Sequence, residues 1–448
     1  MDQLAGSGAD TLIVSAGLEG GPVHYASAVA PLWGANVAVW EHLIFYRASR
    51  NLHQLVGDGL DPMALVCARA RSAGLFFLPT LPLCIVGQSD PTVGRGLGRT
   101  SEFAYDTRHH VGPEDDTGGP QPALLTRMFS QHRLDFMLPA VRQERFEIFD
   151  ELLSRYETDG VEVDLSLNNE FGPMTKLSRC QTELPEAITS WLRDLRAVAV
   201  AAEAAQGRRK RIYVRIPAAS VATWEMIGLE VGRWVTERIV DGLVAISSVK
   251  KQTPVDPLVG MDQDLELETV VALCAGTECR VLAGFTTNLT RPQASEATPP
   301  MIFGAALNCW AKGVDGFGIA TGMWAPNGWP LTETEYATLR AIGRPELLAT
   351  EHKIYRAWAQ NAGGTPGDVV TLLPVPPTAA PHERLPQPLE IGSTAQCRVR
   401  VSDALEHWSN EGRLDTVTLT VRLANYEHAG DLNAVIVRLN GQELPQTG

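Results

Sequence analysis

Cysteines in metal-binding spacing are missing from this chain, and its one basic run, Arg208-Arg-Lys-Arg211, is expected to be a solvated turn between a helix and a strand. Its seven cysteines are scattered over 448 residues and no two stand in a CxxC spacing, so the sequence contains no zinc-ribbon or thioredoxin-type signature. Lysine and arginine total 38 against 52 aspartate and glutamate residues, which gives a net charge of −14. Because nucleic acids and anionic membranes are bound through clustered positive charge, we expect neither as a partner.

Long hydrophobic runs are absent as well. No stretch of 18 apolar residues occurs, and the N-terminus lacks the positive segment and apolar run of a secretory signal. We therefore expect a cytoplasmic protein, with export possible if a leader has been trimmed from the chain. Cys274 and Cys279 flank a short loop and could pair, but the cysteines as a whole suit a reducing compartment.

The chain does contain a repeated alternation of short apolar runs with stretches of helical period. Eight candidate strands between helices predict a parallel sheet closed into a (β/α)8 TIM barrel. A doubly wound open sheet is the alternative, but the segment after the first strand lacks the GxGxxG spacing. The predicted strands are residues 11–15, 75–79, 134–138, 160–164, 212–216, 243–247, 280–284 and 313–319.

A proline-rich stretch separates this pattern from the C-terminal part of the chain. Six prolines fall between residues 374 and 388. Beyond them, residues 396–401, 416–423 and 434–439 alternate with period two, and Asn440-Gly441 is typical of a hairpin turn. We predict a barrel over residues 1–362 and a small antiparallel β-sandwich over residues 363–448.

The predicted fourth strand is the most informative stretch, because apolar residues alternate there with acidic ones. Successive side chains of a strand point to opposite faces, so Glu162 and Asp164 share one face. If the extended conformation continued, Asn168 and Glu170 would join the same row. Burying a carboxylate without a partner is costly, so we expect these acids to have a function.

In a (β/α)8 enzyme the catalytic groups lie at the carboxyl ends of the strands. The polar and aromatic residues found there suit a sugar, whose ring stacks on aromatic faces and whose hydroxyls form hydrogen bonds. Glycoside cleavage needs two carboxylic acids, one to protonate the leaving oxygen and one to attack or to activate water. We predict Asp164 as the leading catalytic acid, with Glu162 and Glu170 as partners. The predicted substrate-binding residues are His24, Tyr25, Asn168, Arg215, Asn288, Trp324 and Trp329.

Arg215 is a charged residue within the apolar run Tyr213-Val-Arg-Ile-Pro217. It either binds an anionic substituent of a sugar, such as a uronate, or neutralises the carboxylates of the neighbouring strand. For Asp164, the alternative to catalysis is a structural role in which its carboxylate is bonded to Arg215 on the next strand.

Three segments resemble a known family. They are Asp159-Gly-Val-Glu-Val-Asp164, the Leu138-Pro-Ala-Val-Arg142 turn opening a helix that ends in Arg155-Tyr156, and Ala305-Ala-Leu-Asn-Cys-Trp-Ala-Lys-Gly-Val-Asp-Gly316. Together they look like the bacterial family-10-like glycosyl hydrolases, and the resemblance spans most of the predicted barrel. It implies a (β/α)8 barrel with a β-rich C-terminal part, and a carbohydrate-active enzyme whose fourth strand bears the acid.

The chain also departs from related barrels. Asn169-Glu170 is similar to the acid/base dyad of the retaining-hydrolase clan, but the place of that clan's strand-seven nucleophile reads Gly284-Phe-Thr-Thr-Asn288, without an acid. The fourth strand resembles the DxxDxDxE pattern of chitinase-like barrels, with Glu162 for the middle aspartate and Ser166 where the catalytic glutamate would stand. The second acid then comes from another loop, or the chain binds sugar without cleaving it. The loop candidates are Glu19, Asp90, Glu102, Asp106 and Glu114.

The sequence therefore predicts cleavage of an O-glycosidic bond in an oligo- or polysaccharide, without cofactor or metal. A non-catalytic carbohydrate-binding barrel is one alternative, favoured by the missing acid on strand seven. A barrel lyase or a metal-dependent enzyme is another, and it would need His24, His109 or His110 to converge on the carboxylates.

Overall fold

The computed structural model describes most of the chain, and it divides into two compact units, Met1–Ser402 and Asp403–Gly448. The predicted boundary after residue 362 falls outside the described residues and stays a prediction. The described residues are 2, 4–85, 95–112, 133–166, 174–246, 261–285, 288–289, 295–319, 332–356, 389–390, 392–421 and 435–445.

Seven parallel strands form the main sheet of the first unit. Each strand pairs with the next one of the sheet in chain order, which is the winding of a TIM-like barrel and not of a doubly wound sheet, where the strand order reverses. The two-stranded antiparallel pair β7 and β8 stands between the last two strands of the sheet in sequence. The strands are β1 (Thr11–Ser15), β2 (Phe76–Pro82), β3 (Gly160–Asp164), β4 (Arg211–Pro217), β5 (Gly242–Ile246), β6 (Arg280–Phe285), β7 (Asn288–Leu289), β8 (Ser295–Glu296) and β9 (Gly316–Ile319).

The expected strand at residues 134–138 does not join this sheet, so the described sheet has seven strands where the sequence predicts eight. Strand β2 pairs directly with β3. The local reason is Asp135, whose carboxylate accepts a hydrogen bond from the Met137 backbone N–H at 2.9 Å. Such an aspartate turn competes with strand pairing, and Leu134 forms only an isolated bridge. The predicted fourth strand is thus the third strand of the sheet.

Helices follow most of the strands. Several begin at side-chain caps; the Asp61 carboxylate, for example, accepts from the Met63 backbone N–H at 3.0 Å. Among the described helices, none is both long and apolar enough to cross a membrane. The helices of the first unit are α1 (Leu43–Gly57), α2 (Pro62–Ser72), α3 (Glu102–Tyr105), α4 (Pro139–Ser154), α5 (Leu177–Cys180), α6 (Leu184–Gln206), α7 (Val221–Met226), α8 (Val231–Thr236), α9 (Glu268–Cys274), α10 (Pro299–Ala311), α11 (Glu333–Ile342) and α12 (Pro345–Leu348).

The two faces of the sheet differ in polarity. On β3 and β4, Val161, Val163 and Val214 are fully buried in the main hydrophobic cluster. Because side chains alternate along a strand, Glu162 and Arg215 lie on the opposite face. The apolar face packs in the hydrophobic core, and the polar face carries the charged side chains of β3 and β4.

The C-terminal unit contains helix α13 (Leu405–Asn410) and a hairpin of β10 (Arg438–Leu439) with β11 (Gln442–Glu443). Asn440 and Gly441 have φ values of 50° and 83°, and two successive left-handed residues form the turn that the Asn-Gly pair predicts. The hairpin is therefore confirmed. The expected β-sandwich is not confirmed, because the antiparallel structure described from residue 389 onward is this two-stranded sheet. Local turn chemistry is enough to predict a hairpin, whereas a sandwich depends on pairing between strands that are distant in the sequence.

Gly160, the first residue of β3, provides a test of the sheet. Its φ is 144°, and a Cβ there would lie 1.9 Å from the Arg211 carbonyl oxygen. Gly160→Ala should therefore strain the backbone and separate β3 from β4, lowering the free energy of unfolding by about 3 kcal/mol. Urea denaturation measures the change.

Gly57 is the matched control, because a Cβ at this end of α1 meets no atom within 4 Å. Gly57→Ala should leave the stability within about 1 kcal/mol of wild type. An unchanged urea midpoint for Gly160→Ala would contradict the close approach of β3 and β4.

Candidate active site

The candidate site lies at the carboxyl ends of β2, β3 and β4. In the register of these strands, Thr80 stands opposite Glu162, and Asp164 stands opposite Arg215. The carboxyl ends of parallel strands meet at one edge of the sheet, so the four side chains come together there. The structure thus brings together three of the residues predicted from the sequence and adds Thr80.

Glu162 is the innermost of these groups, and its side chain has no exposed surface. Its Oε1 accepts a hydrogen bond from the Thr80 hydroxyl at 2.9 Å and lies 2.7 Å from Arg215 Nη2. Burial raises the pKa of Glu162, while the positive charge of Arg215 acts in the opposite direction. In this structure Glu162 is the partner of Arg215, and its expected role as a catalytic acid stays a prediction.

Asp164 lies two residues further along β3 and keeps 13% of its side chain exposed. Its Oδ1 accepts hydrogen bonds from the backbone N–H of Ser166 at 2.8 Å and from the Ser166 hydroxyl at 2.5 Å. Its Oδ2 lies 3.9 Å from Arg215 Nη1. One oxygen of Asp164 is therefore fixed by Ser166, and the other faces a guanidinium.

Arg215 connects the two acids. Burial alone would lower the pKa of Arg215, but the charges of Glu162 and Asp164 outweigh it and raise the pKa. The short contact is with Glu162 and the longer one is with Asp164. Of the roles considered for Arg215, these contacts favour neutralising the carboxylates over binding an anionic sugar.

His24 and Tyr25 follow β1, and each has its own set of contacts. The His24 ring packs edge-on against Trp33 with centroids 5.6 Å apart, and burial lowers its pKa while Glu19 acts against this. Tyr25 is fully buried, and its hydroxyl donates to Glu151 Oε2 at 3.0 Å. Substrate binding by either residue stays a prediction.

The other predicted site residues have no described side chain. For Asn288 only the backbone, in β7, is described. Their proposed roles in catalysis or binding stay predictions. Those outside the described residues are Asn168, Glu170, Trp324 and Trp329, together with the loop acids Asp90 and Glu114.

The described loop acids are paired with arginines. The Glu102 Oε1 lies 2.8 Å from Arg95 Nη1, and this hydrogen bond lowers the pKa of Glu102. Arg108 likewise lowers the pKa of Asp106. A carboxylate held ionised is poorly suited to protonate a leaving group. Glu19 is likewise paired with an arginine, Arg99, and keeps 17% of its side chain exposed; its role as a second acid stays a prediction.

The paired histidines of the loop after β2 hydrogen-bond to backbone carbonyls. His109 Nδ1 lies 3.1 Å from Phe103 O, and His110 Nε2 lies 3.0 Å from Ala104 O. Within the described ranges, no three His, Cys, Asp or Glu side chains gather into a metal-binding group. The metal-dependent alternative therefore finds no ligand set in that part of the chain.

Sequence reasoning missed Thr80 as a member of the site. The predicted second strand ends at residue 79, whereas β2 continues to Pro82. Thr80 faces Glu162 only through the pairing of β2 with β3, and a single sequence carries no signal of that register. For Ser166 a signal existed, because a serine two residues after an aspartate is typical of a local side-chain turn.

Comparison with known proteins gives solved structures alone, since no protein-family model and no curated protein match the sequence. The glycoside hydrolase domain of PgaB (BpsB) from Bordetella bronchiseptica is 13% identical, covering 76% of this chain and 91% of that chain, with a TM-score of 0.41. A class V chitinase from Pseudomonas fluorescens Pf-5 is 12% identical, covering 76% and 96%, with a TM-score of 0.39. A chitinase from Chromobacterium violaceum is 10% identical, covering 76% and 93%, with a TM-score of 0.37.

These structural neighbours are carbohydrate-cleaving domains by name. Their TM-scores lie below 0.5 and their identities do not exceed 13%, so the fold of this chain is judged from its own strand pairing and its activity from its own site. The family-10-like resemblance is tested by none of them and stays a prediction.

The protonation of Glu162 yields a test with a definite sign. Because burial raises the pKa of Glu162 above its ordinary value of 4.5, the folded protein binds a proton that the unfolded chain releases between the two values. Stability should then fall as the pH rises through this interval, by up to about 1.4 kcal/mol for each pH unit. Urea denaturation of wild type and Glu162→Gln from pH 4.5 upwards measures the difference.

Glu162→Gln lacks this titrating group, so wild type should lose stability relative to the variant as the pH rises. The opposite trend, with wild type losing stability relative to the variant toward acid, would show that Arg215 outweighs burial and lowers the pKa of Glu162.

Proposed function

We propose that this protein is a glycoside hydrolase that cleaves an O-glycosidic bond of an oligo- or polysaccharide, with Asp164 as the leading catalytic residue. One observation carries the proposal: a partly exposed carboxylate, oriented by Ser166 and set beside Arg215, at the carboxyl edge of a parallel sheet. TIM-like barrels hold their active sites at that edge, and carboxylates perform glycoside cleavage.

Asp164 has the geometry of a group that acts on a substrate. Ser166 holds Oδ1 with two hydrogen bonds, which fixes the plane of the carboxylate. Oδ2 is left to attack an anomeric carbon or to activate water, and Arg215 places a positive charge 3.9 Å away. Fixed orientation and nearby opposite charge are two ways in which a protein prepares a carboxylate for such a step.

Glu162 is a positioning residue in this proposal. It holds Arg215 through the 2.7 Å ion pair, and Thr80 holds Glu162 in turn. The effect of Glu162 on the reaction is therefore transmitted through Arg215 to Asp164. Family-10-like membership, inferred from the sequence, agrees with acids at the end of this strand but leaves their individual roles open.

A second acid is required for glycoside cleavage. We propose Glu170, which follows Asp164 on the chain, as the first candidate, and Glu19 on the loop after β1 as the second. Glu19 is partly exposed and contributes to the electrostatic environment of His24. The further substrate contacts that we propose are His24, Asn168, Asn288, Trp324 and Trp329.

A carbohydrate-binding protein without hydrolytic activity is the second candidate. The burial of Glu162 favours it, because this burial leaves Asp164 as the exposed acid of β3. The two candidates differ in one measurable property, which is the appearance of new reducing ends.

The test is the release of reducing ends from a panel of polysaccharides by wild type and by Asp164→Asn. Asparagine keeps the shape of the side chain but loses its charge, so we expect release to fall at least 100-fold. The thermal midpoint of the variant should stay close to that of wild type, which shows that the fold is kept.

Ser166→Ala is the matched control, because it leaves the carboxylate in place and removes one of its two hydrogen bonds. We expect a loss of about 10-fold or less. Equal release by wild type and Asp164→Asn would remove Asp164 from the mechanism. Tight binding of a polysaccharide by wild type, with no release from any of the panel, would establish the binding protein instead.

A further inference from the structure

Two cysteines face each other at the amino-terminal end of β6. Helix α9 ends at Cys274, and Cys279 directly precedes the first residue of the strand. Both residues are buried, and both are free thiols. Each thiol shifts the pKa of the other, so the two side chains are neighbours.

The turn between them holds the two cysteine backbones close together. The Thr277 hydroxyl donates to the Cys274 carbonyl oxygen at 2.8 Å and accepts from the Cys279 backbone N–H at 3.1 Å. The Thr277 backbone N–H donates to the same carbonyl at 3.0 Å. Thr277 therefore ties both cysteine backbones together.

We propose that Cys274 and Cys279 form a redox modification site, in which a peroxide joins them by an intramolecular disulfide. The Cys274 thiolate attacks one peroxide oxygen, the O–O bond breaks, and a sulfenic acid and one water form. The Cys279 sulfur then attacks the sulfenic sulfur and releases a second water. Two thiols and one hydrogen peroxide thus give one disulfide and two waters, with two electrons passing from the sulfurs to the peroxide.

The surroundings of the pair set this order of attack. The neighbouring Cys279 lowers the pKa of Cys274, whereas Cys274 together with burial raises the pKa of Cys279. A thiol with a lowered pKa beside a resolving thiol is the arrangement of a peroxide-sensitive site. Elsewhere burial raises the pKa of Cys67 and of Cys309 to about 12, which makes those thiols unreactive.

The site is remote from the chemistry proposed at β3. Cys279 precedes Arg280, which pairs with Gly242 at the start of β5, whereas Asp164 lies at the carboxyl end of the sheet. The disulfide should therefore leave the release of reducing ends unchanged. A failure of the glycoside hydrolase proposal and a failure of this one are consequently separate results.

The experiment treats the reduced full-length protein with hydrogen peroxide in slight molar excess. We expect a mass decrease of about 2 Da, the two hydrogens lost in disulfide formation, and a drop from seven titratable thiols to five after denaturation. Peptide mapping of the oxidised wild type should show one cross-link, between Cys274 and Cys279. Dithiothreitol should reverse all three changes.

Cys274→Ser and Cys279→Ser should each abolish the cross-link, and Cys309→Ser is the matched control that should keep it. The thermal midpoint of the oxidised wild type should rise by about 2 °C or more, because the cross-link restricts the unfolded chain. A cross-link between other cysteines, or a mass gain from oxygen addition without loss of two hydrogens, would overturn the proposal. The map of the wild type decides this even if a serine variant fails to fold.

Discussion

The buried ion pair of Glu162 and Arg215 is the interaction on which the polar face of the sheet depends. Removing each charge from water costs several kcal/mol, and a close, hydrogen-bonded partner is what offsets that cost. The 2.7 Å contact and the Thr80 hydroxyl offset part of this cost for Glu162, whose pKa burial nevertheless raises. Because its partners stand on β2 and β4, this one carboxylate links three strands. Of its described ion pairs, Arg215 without Glu162 would keep only the 3.9 Å contact with Asp164. Without Arg215, Glu162 would keep only the hydrogen bond from Thr80 among its described polar contacts.

This constraint separates two acids that look equivalent in the sequence. Successive residues on one face of a strand are about 6 to 7 Å apart along it, so Glu162 lies one layer deeper than Asp164. The deeper acid is used to hold Arg215, and the outer one keeps some exposed surface. Beyond it the chain turns at Ser166, which fixes the outer carboxylate. A two-residue step thus separates a fully buried, paired carboxylate from a partly exposed one.

Patterns of short range predicted the parts of the structure that short-range physics determines. Period-two alternation identified β3 and the shared face of Glu162 and Asp164, and Asn440-Gly441 identified its hairpin. The predictions that failed concern features that depend on other parts of the chain. Residues 134–138 are apolar enough for a strand, but the hydrogen bond of Asp135 turns the chain. The burial of a side chain, the register of its strand and its contacts all depend on the neighbouring strands. Alternation along β3 therefore could not reveal that Glu162 is buried or that Thr80 contacts it.

Packing of the polar face also limits where a ligand can enter. The ring of Tyr213 lies over Gly242, where a Cβ would come within 2.3 Å of ring atom Cε1. Tyr213 is in register with Glu162, so this layer is filled by an ion pair on one side and an aromatic ring against backbone on the other. Glu162 has no exposed side-chain surface in this layer, so a ligand on this face does not reach it. Asp164 and Arg215, in register one layer further out, retain exposed side-chain surface, so these two side chains are the charged groups at the carboxyl ends of β3 and β4 that a ligand on this face can contact.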